Sequence, residues 1–286
     1  MTKILILGAS GTVGLPLFQT LSAVAGYEVF GTYHSNKPAG ADDAYWHKLD
    51  ISDVSGLERI LEITAPHVVV SSLIGDFKRQ MDIHRYLAAY LKKTGGRIIF
   101  VSTANVFDGD VRGRHGEGDK TYPISNYGKF KQACEALLQG ALGEKCLVVR
   151  LPKIMDKKTA ASFLKQAETG EPPVYKNLYM SFNTAQNVAD ALAYCVGTEK
   201  AGVLHLTSVD AMSISRCMDI LLARAGKARG YTPQRLTVES FCGLLGCDEP
   251  KLLRHNGDGA FCMDLICTDP DITDKFAISC REALQV

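Results

Sequence analysis

Two residues of this chain have the side chains and the spacing of a proton-transfer pair. Tyr127 and Lys131 are four positions apart, so on a helix they lie on one face. A nearby ammonium group stabilises a phenolate, and the tyrosine pKa then falls from about 10 towards the range in which the phenol can exchange a proton. Such pairs are also common on helix surfaces, so this pair alone does not identify an active site.

A hydroxyl group that could bind a substrate is predicted at the end of a strand that precedes Tyr127 in the sequence. The apolar run 97–102 predicts a strand that ends at Ser102-Thr103, and open α/β sheets bind ligands at the carboxyl ends of their strands. A hydroxyl there can hold a substrate carbonyl while Tyr127 gives or takes the proton. Thr103, Tyr127 and Lys131 are therefore the candidate catalytic residues.

A glycine-rich turn follows the first predicted strand and precedes the first predicted helix. It reads Gly8-Ala9-Ser10-Gly11-Thr12-Val13-Gly14. Glycines at such a turn let a pyrophosphate approach the backbone, and the helix N-terminus supplies amide donors. The spacing differs from the usual Gly-x-Gly-x-x-Gly, so an ordinary tight turn is the alternative. The sequence has no Gly-x-x-x-x-Gly-Lys-Ser/Thr loop, which disfavours a nucleoside triphosphatase.

The end of the second predicted strand bears on the choice of cofactor. An acid here would hold the adenosine ribose of NAD, whereas segment 31–37 reads Gly-Thr-Tyr-His-Ser-Asn-Lys and contains neither Asp nor Glu. His34, Ser35 and Lys37 could instead meet the 2′-phosphate of NADP. We therefore expect NADP(H) in preference to NAD(H). The alternative is that these three are solvated loop residues and that the ribose is bound elsewhere.

Strands and helices alternate along the first half of the chain. Apolar runs predict strands at 3–7, 28–33, 45–49, 67–72, 97–102 and 146–150, and periodic patterns predict helices that include one capped by Ser52 and others at 78–93 and 126–139. Parallel neighbours require a crossover, so the pattern predicts an α/β fold with a doubly wound, parallel (Rossmann) sheet. We expect a dinucleotide-binding domain at 1–151, joined by about 183–208, and a smaller, partly interleaved substrate-binding part within 152–286.

Composition and charge argue against several classes of protein. The formal net charge is +1, and no basic block is longer than Lys157-Lys158, so we expect no nucleic-acid partner. The sequence has no run of about 18 uncharged apolar residues, so we expect no membrane span. The nine cysteines are expected to be reduced thiols in a cytoplasmic protein. The pairs Cys242/Cys247 and Cys262/Cys267 lack the spacing of a zinc knuckle, and we expect no metal.

These segments together resemble a known family. The glycine loop, Leu49-Asp50-Ile51, Ser102-Thr103 with Val106-Phe107-Asp108-Gly109, and Asn126-Tyr127-Gly128-x-x-Lys131-x-x-x-Glu135 are similar to the motifs of extended short-chain dehydrogenase/reductases. Within that group the chain most resembles dTDP-4-dehydrorhamnose reductases, over roughly the first 220 residues. The resemblance implies hydride transfer between a nicotinamide and a sugar carbon, usually on a nucleotide-linked hexose.

The resemblance also implies a role for each matching residue. Tyr127 would be the acid/base, Lys131 would hold the nicotinamide ribose and tune Tyr127, and Thr103 would orient the substrate carbonyl. The other expected substrate contacts are Asn105, Val106 and Phe107. A homodimer through helices near 78–93 and 126–140 is also expected. With the residues at the second strand included, the expected cofactor contacts are Gly8, Ser10, Gly11, Thr12, Val13, Gly14, His34, Ser35, Lys37, Asp50, Ile51, Ser71, Ser72, Leu73, Ser102, Tyr127, Lys131 and Leu151, with Asp50 and Ile51 at the adenine.

The chain departs from the family pattern at two places. The Ser-Thr pair is usually followed by Asp-Tyr and here by Ala104-Asn105, and an Asn-Ala-Ala-like stretch is replaced by Ser71-Ser72-Leu73. The first change removes a carboxylate and a phenol from the expected substrate side. We expect an NADP(H)-linked oxidoreductase, or a redox-neutral epimerase, acting on a nucleotide-linked sugar. The alternatives are a non-catalytic subunit resembling the regulatory subunit of methionine adenosyltransferase, and an NADP-binding redox sensor without a Tyr-dependent reaction.

Two further assignments rest on charge. Segment 108–122 contains Arg112, Arg114 and His115, and it is expected either to close on a phosphorylated substrate, which arginine suits, or to be a solvated loop. His84 is surrounded by cationic residues in the sequence and is expected at the protein surface.

Overall fold

The computed structural model describes residues 1–247, 249–256 and 259–285, and it divides into two compact units. The first unit comprises Met1–Ser102, Ala133–Val149 and Ala185–Val203, and the second comprises Thr103–Gln132, Arg150–Thr184 and Leu204–Val286. Residues 103–132, which the sequence assigned to the first domain, lie in the second unit. The binding roles assigned to the two domains stay predictions.

The described residues form strands and helices in alternation. The strands are β1 (Thr2–Leu7), β2 (Tyr27–Tyr33), β3 (Trp46–Lys48), β4 (Val68–Ser71), β5 (Arg97–Thr103), β6 (Arg114–His115), β7 (Cys146–Leu151), β8 (Lys153–Met155), β9 (Leu178–Met180), β10 (Phe182–Thr184), β11 (Gly202–His205), β12 (Met212–Ser213) and β13 (Phe261–Leu265). The α-helices are α1 (Gly14–Ser22), α2 (Val54–Thr64), α3 (Phe77–Thr94), α4 (Asn126–Leu142), α5 (Lys157–Thr169), α6 (Ala185–Thr198), α7 (Ile214–Ala225), α8 (Val238–Leu245), α9 (Pro270–Phe276) and α10 (Cys280–Ala283). A 3-10 helix at Ala104–Phe107 joins β5 to the segment that follows.

The first unit is organised around a sheet of seven strands in the order β11-β7-β5-β4-β1-β2-β3. β1 pairs in parallel with β2 and with β4, and the pairs β2–β3 and β4–β5 are also parallel. The central strands are buried on both faces, as Ile4 to Leu7 illustrate, and this burial explains their continuous apolar sequence. The predicted doubly wound parallel sheet is therefore confirmed. The strand order reverses between β1 and β4, which is where such sheets bind ligands.

Helix α2 begins one residue later than the sequence indicated. Its N-cap is Asp53, whose carboxylate accepts a hydrogen bond from Gly56 N at 2.9 Å. The predicted cap, Ser52, points elsewhere, because its backbone N–H and its hydroxyl both donate to Asp50 Oδ1 at 2.8 Å. The expectation for Ser52 is wrong because a local turn competes for its side chain.

His84 is buried, and its expected place at the surface is wrong. Its exposed fraction is 0%, and its ring packs edge-on against Phe100. Nδ1 lies 2.6 Å from Gln80 O and must donate to it, and Nε2 lies 2.9 Å from Ser71 Oγ. Helical spacing explains the burial, because Leu87 and Leu91 share this face of α3 while the cationic neighbours in sequence lie on other faces.

The second unit has smaller sheets and its own apolar core. Strands β12-β9-β13-β6 form a four-stranded sheet, and β8 pairs in parallel with β10. Phe182, Phe241 and Phe261 are fully buried within this core, and the rings of Phe241 and Phe261 are 5.1 Å apart. Most of these strands are two or three residues long, too short for a periodic pattern to appear in the sequence.

Two further observations concern the described residues as a whole. None of their helices is long and apolar enough to cross a membrane, and no group of three or more of their His, Cys, Asp or Glu side chains is arranged to hold a metal ion. All nine cysteines are free thiols, six of them buried.

The buried hydrogen bond between His84 and Ser71 generates a stability prediction. We expect His84→Ala to lower the free energy of unfolding by about 2–4 kcal/mol, because the Ser71 hydroxyl loses its partner and a cavity opens beside Phe100. The matched control is Arg85→Ala, which removes only an exposed ion pair with Asp82 and should change stability by less than about 1 kcal/mol. Urea unfolding followed by circular dichroism measures both. Equal stability of the two variants would contradict the prediction.

Candidate functional site

The glycine loop closes tightly against the ends of the neighbouring strands. Gly8 has a φ of 77°, and its N–H donates to Thr32 Oγ1 at 2.9 Å. A Cβ on Gly8 would lie 2.8 Å from Ser72 O, and a Cβ on Gly14 would lie 2.6 Å from Ala9 Cα. Val13 at the N-cap of α1 makes no side-chain cap hydrogen bond; Leu15 N donates to Gly11 O at 3.0 Å, and Pro16 in the first turn has no N–H.

A cavity of about 540 Å³ lies beside this loop, at the carboxyl ends of β1, β2 and β4. Its lining includes eight of the expected cofactor contacts: Gly8, Ser10, Gly11, His34, Asp50, Ile51, Ser72 and Leu73. The sequence analysis missed seven more lining residues: Thr32, Tyr33, Leu49, Ile74, Gly75, Asp76 and Arg79. Of these, Arg79 could have been found from its cationic side chain in the first turn of the helix after β4, at the ligand-binding edge of the sheet.

The remaining expected cofactor contacts lie outside this lining. Lys37 pairs with Asp43 at 2.6 Å, Ser35 Oγ is bonded to His34 Nδ1, and Ser71 is bonded to His84. Ser102 Oγ donates to Glu135 Oε1, and Leu151 is buried in β7. The other members of this set are Thr12, Val13, Gly14, Tyr127 and Lys131. Lys37 forms this ion pair with an exposed aspartate, and its expected contact with a 2′-phosphate stays a prediction.

Charged groups of both signs line one end of the cavity. His34 Nε2 is 3.9 Å from Asp50 Oδ2, and Arg79 lies on the same lining. Hydrogen bonds from the backbone N–H and the hydroxyl of Ser52 lower the pKa of the Asp50 carboxyl, and the charges of His34 and Arg79 lower it further. Asp50 is therefore an anion here, with the Arg79 guanidinium on the same lining.

A second group of polar residues lies at the end of β5 and the start of α4. The Tyr127 hydroxyl is hydrogen-bonded to Thr103, so two of the three candidate catalytic residues are in contact. Burial of the hydroxyl end raises the pKa of Tyr127, and the hydrogen bond with Thr103 lowers it in part, although the residue as a whole is 39% exposed. The expected net lowering by Lys131 is wrong for this structure, because desolvation outweighs the stabilisation of the phenolate. Lys131 itself is buried, one turn further along α4.

A glycine allows α4 to approach the 3-10 helix closely enough for this contact. A Cβ on Gly128 would lie 2.8 Å from Pro123 Cβ and closer still to Asn105 O, so no larger residue fits without a shift. Ser125 Oγ accepts a hydrogen bond from Gly128 N at 2.9 Å and so caps the helix. The first turn of α4, which carries Tyr127, is thereby fixed in place.

The buried carboxylate of Asp108 connects the two segments. It accepts hydrogen bonds from Ile124 N at 2.7 Å, from Ser125 N at 3.2 Å and from the Ser125 hydroxyl. It also accepts a hydrogen bond from Asn105 Nδ2 at 3.4 Å. Asp108 has no exposed surface, so these bonds replace the water that a carboxylate would otherwise bind. The sequence analysis used Asp108 only as part of a family motif.

The other expected substrate contacts differ in their access to solvent. Asn105 is partly exposed and bonded to Thr103, whose Oγ1 lies 3.1 Å from Asn105 Oδ1. Val106 and Phe107 are 0% and 3% exposed and pack with Leu265 in an apolar cluster. Their side chains belong to the core of the second unit, and their expected contact with substrate stays a prediction.

Segment 108–122 has exposed residues, but its arginine side chains are paired within the second unit. Arg112 pairs with Asp110, and the ring of His115 stacks on Phe107 with centroids 4.3 Å apart. Arg114 pairs with Asp264, whose side chain is 0% exposed, and also donates to the carbonyl oxygens of Ser208, Val209 and Leu265. Burial raises the pKa of Asp264, while the hydrogen bond from Ser181 and the charge of Arg114 oppose that rise. These contacts tie the segment into the second unit, and its expected closure on a phosphorylated substrate stays a prediction.

More than half of the sequence, including the residues at the end of β5 and the start of α4, matches a known family. A family model described as the RmlD substrate binding domain matches residues 76–239, more than half of the chain, and the match includes Thr103, Asp108, Tyr127 and Lys131. The chain belongs to this family. The match confirms the resemblance to extended short-chain dehydrogenase/reductases of the dTDP-4-dehydrorhamnose reductase type.

Several known proteins are similar to this chain over most of their length. A probable low-salt glycan biosynthesis reductase of Haloferax volcanii is 26% identical over 295 residues, covering 86% of this chain and 93% of the relative. A dTDP-4-dehydrorhamnose reductase of Burkholderia thailandensis is 28% identical over 256 residues, covering 81% of each. The crystal structure of a dTDP-4-dehydrorhamnose reductase from Bacillus anthracis, in complex with NADP, has a TM-score of 0.71 at 18% identity and covers 100% of this chain and 98% of that one.

These comparisons confirm the fold and the extended short-chain dehydrogenase/reductase family, whose members here include reductases. The individual site residues, the homodimer and the cytoplasmic location stay predictions.

The close approach at Gly14 generates a prediction for the loop. Gly14→Ala should weaken binding of a nicotinamide dinucleotide at least about tenfold, because the new methyl group displaces the backbone that faces the pyrophosphate. Gly118→Ala is the matched control, since a Cβ there meets no atom within 4 Å, and its affinity should equal that of wild type. Enhancement of nicotinamide fluorescence measures the dissociation constants, and circular dichroism checks the fold. Unchanged affinity in a folded Gly14→Ala variant is the outcome that would refute this role.

Proposed function

We propose that this protein is an NADPH-dependent reductase that transfers a hydride to the carbonyl carbon of a nucleotide-linked sugar. The observation that carries the proposal is the hydrogen bond between Tyr127 and Thr103 at the carboxyl end of β5, with Lys131 one turn further along α4. The family match and the reductases among its relatives support the same reaction class.

The first unit has the features that a dinucleotide requires. The cavity beside the glycine loop has room for an adenosine, and a side chain at Gly8 or Gly14 would collide with the neighbouring backbone, so glycine is needed to keep the loop tight. Asp50 and Ile51 line the cavity where the family resemblance places the adenine. When bound, the reduced nicotinamide supplies the hydride.

The second unit supplies the proton. Tyr127 donates its hydroxyl hydrogen to the substrate carbonyl oxygen as negative charge develops there, and Thr103 holds the phenol in position. The buried Lys131 carries a positive charge on the same helix, and this charge stabilises the phenolate once the proton has left. The raised pKa of Tyr127 keeps the phenol protonated before substrate binds, as a proton donor requires.

The cofactor preference that we propose keeps His34 from the sequence analysis and adds Arg79 in place of Ser35 and Lys37. Lys37 is held by Asp43, whereas His34 and Arg79 both line the cavity next to Asp50. Arginine binds phosphate through several N–H donors, so Arg79 with His34 would favour the 2′-phosphate of NADPH over the 2′-hydroxyl of NADH.

The reaction is tested with dTDP-4-dehydrorhamnose and NADPH, followed by the loss of NADPH absorbance. We expect Tyr127→Phe to lower kcat by about 10²–10⁴-fold, because the proton donor is removed while the ring is kept. Tyr45→Phe is the control, since this partly exposed tyrosine lies in the first unit beside Phe30. Its kcat should match that of wild type.

Three results would contradict the proposed reductase. Turnover by Tyr127→Phe at the wild-type rate would remove the proton-donor role. Conversion of substrate without net consumption of NADPH would indicate an epimerase. Binding of NADPH without turnover of this or other nucleotide-linked keto sugars would favour a non-catalytic subunit.

The cofactor preference is tested separately by Arg79→Ala. Its dissociation constant for NADPH should rise about tenfold and that for NADH should stay unchanged, because only NADPH carries the charged 2′-phosphate. Lys78→Ala is the matched control, since Lys78 is an exposed neighbouring cation outside the cavity lining. A loss of affinity that is equal for the two cofactors would assign Arg79 to another part of the dinucleotide.

A further inference from the structure

The hydroxyl group of Thr103 has one hydrogen and two partners that can accept it. Its Oγ1 lies 3.1 Å from Asn105 Oδ1 and is also hydrogen-bonded to Tyr127. The same oxygen accepts a hydrogen bond from the backbone N–H of Asn105 at 3.3 Å. A hydroxyl can donate one hydrogen bond and accept two, so these three contacts use its full capacity.

The orientation of the Asn105 amide follows from Asp108. The carboxylate of Asp108 can only accept, so the amide must turn its NH₂ group, 3.4 Å away, towards it. The carboxylate is itself held by donors from Ile124 and Ser125. The carbonyl oxygen of the Asn105 side chain therefore faces Thr103, and because this oxygen cannot donate, Thr103 must be the donor in their contact.

We propose that Asn105 is a positioning residue that competes with the Tyr127 phenolate for the single hydroxyl hydrogen of Thr103. While Tyr127 is protonated, every bond runs in one direction: Tyr127 donates to Thr103, Thr103 to Asn105, and Asn105 to Asp108. Once Tyr127 has lost its proton, the phenolate needs a donor, and Thr103 can serve it only by giving up its hydrogen bond to Asn105. Asn105 thus favours the protonated, donor form of Tyr127.

This inference deepens the proposed function and rests on the proton-donor role of Tyr127. Asn105 is also a position at which this chain departs from the family, in which tyrosine is usual here. A tyrosine side chain has no carbonyl oxygen that could accept the hydrogen bond from Thr103. The charged side chains on these elements are Arg97 at the start of β5 and Lys129, Lys131 and Glu135 on α4, and Asp108 follows the 3-10 helix. Substitution of Asn105 changes none of these charges.

The test measures the ionisation of the phenol at position 127 directly, in the full chain without cofactor or substrate. 3,5-Difluorotyrosine is incorporated in place of Tyr127, since its fluorine atoms bring the phenol pKa towards neutrality and report ionisation by ¹⁹F NMR. Two variants remove the competing acceptor: Asn105→Ala, and Asn105→Leu, which keeps the side-chain volume in case the smaller residue impairs folding. Each is also made in a Thr103→Val background, which removes the hydroxyl for which Asn105 and the phenolate compete.

Both Asn105 variants should lower the pKa of this phenol by about one unit, a tenfold change in its ionisation constant, because the Thr103 hydrogen becomes free to serve the phenolate. In the Thr103→Val background neither variant should change the pKa. An unchanged pKa in a folded Asn105 variant, or a shift that persists without the Thr103 hydroxyl, would overturn the inference. Because this readout needs no turnover, its failure is distinct from retained activity in Tyr127→Phe, which would overturn the proposed function itself.

Discussion

The buried carboxylate of Asp108 accepts hydrogen bonds from both segments that bear the candidate catalytic residues. Through Ile124 and Ser125 it fixes the chain that leads into α4, and through Asn105 it fixes the 3-10 helix that follows β5. Gly128 then lets the first turn of α4 pack against that helix. The contact between Tyr127 and Thr103 depends on this arrangement, because neither residue is positioned by its own local conformation alone.

Local sequence patterns were sufficient for the architecture and for part of the site. The apolar runs that become β1, β4 and β5 are buried on both faces of the sheet, so their residue types alone indicate parallel strands. Tyr127 and Lys131 could be paired from their spacing, and Thr103 from its place at a strand end. The glycine loop could be located for the same reason, because a tight turn between a strand and a helix restricts the residue types that fit.

What the sequence did not predict depends on contacts between distant parts of the chain. The partner of Lys37 is an aspartate in the following loop, and the partner of Arg114 is Asp264 in a different strand of the second unit. His84 faces inward because of the apolar residues on its side of α3, although its neighbours in sequence are charged. The direction of the Tyr127 pKa shift also depends on burial, which residue spacing does not report.

The pairing of Arg114 with Asp264 has a consequence for the conditions under which the second unit stays folded. Dissolved ions weaken attraction between charges that they can surround, but the Asp264 side chain has no accessible surface for a counter-ion to reach. The Arg114 side chain is 33% exposed, so added salt weakens this contact, but by less than it weakens more exposed pairs such as Arg229 with Asp219. The junction of β6 and β13 is accordingly a part of the molecule that tolerates high ionic strength.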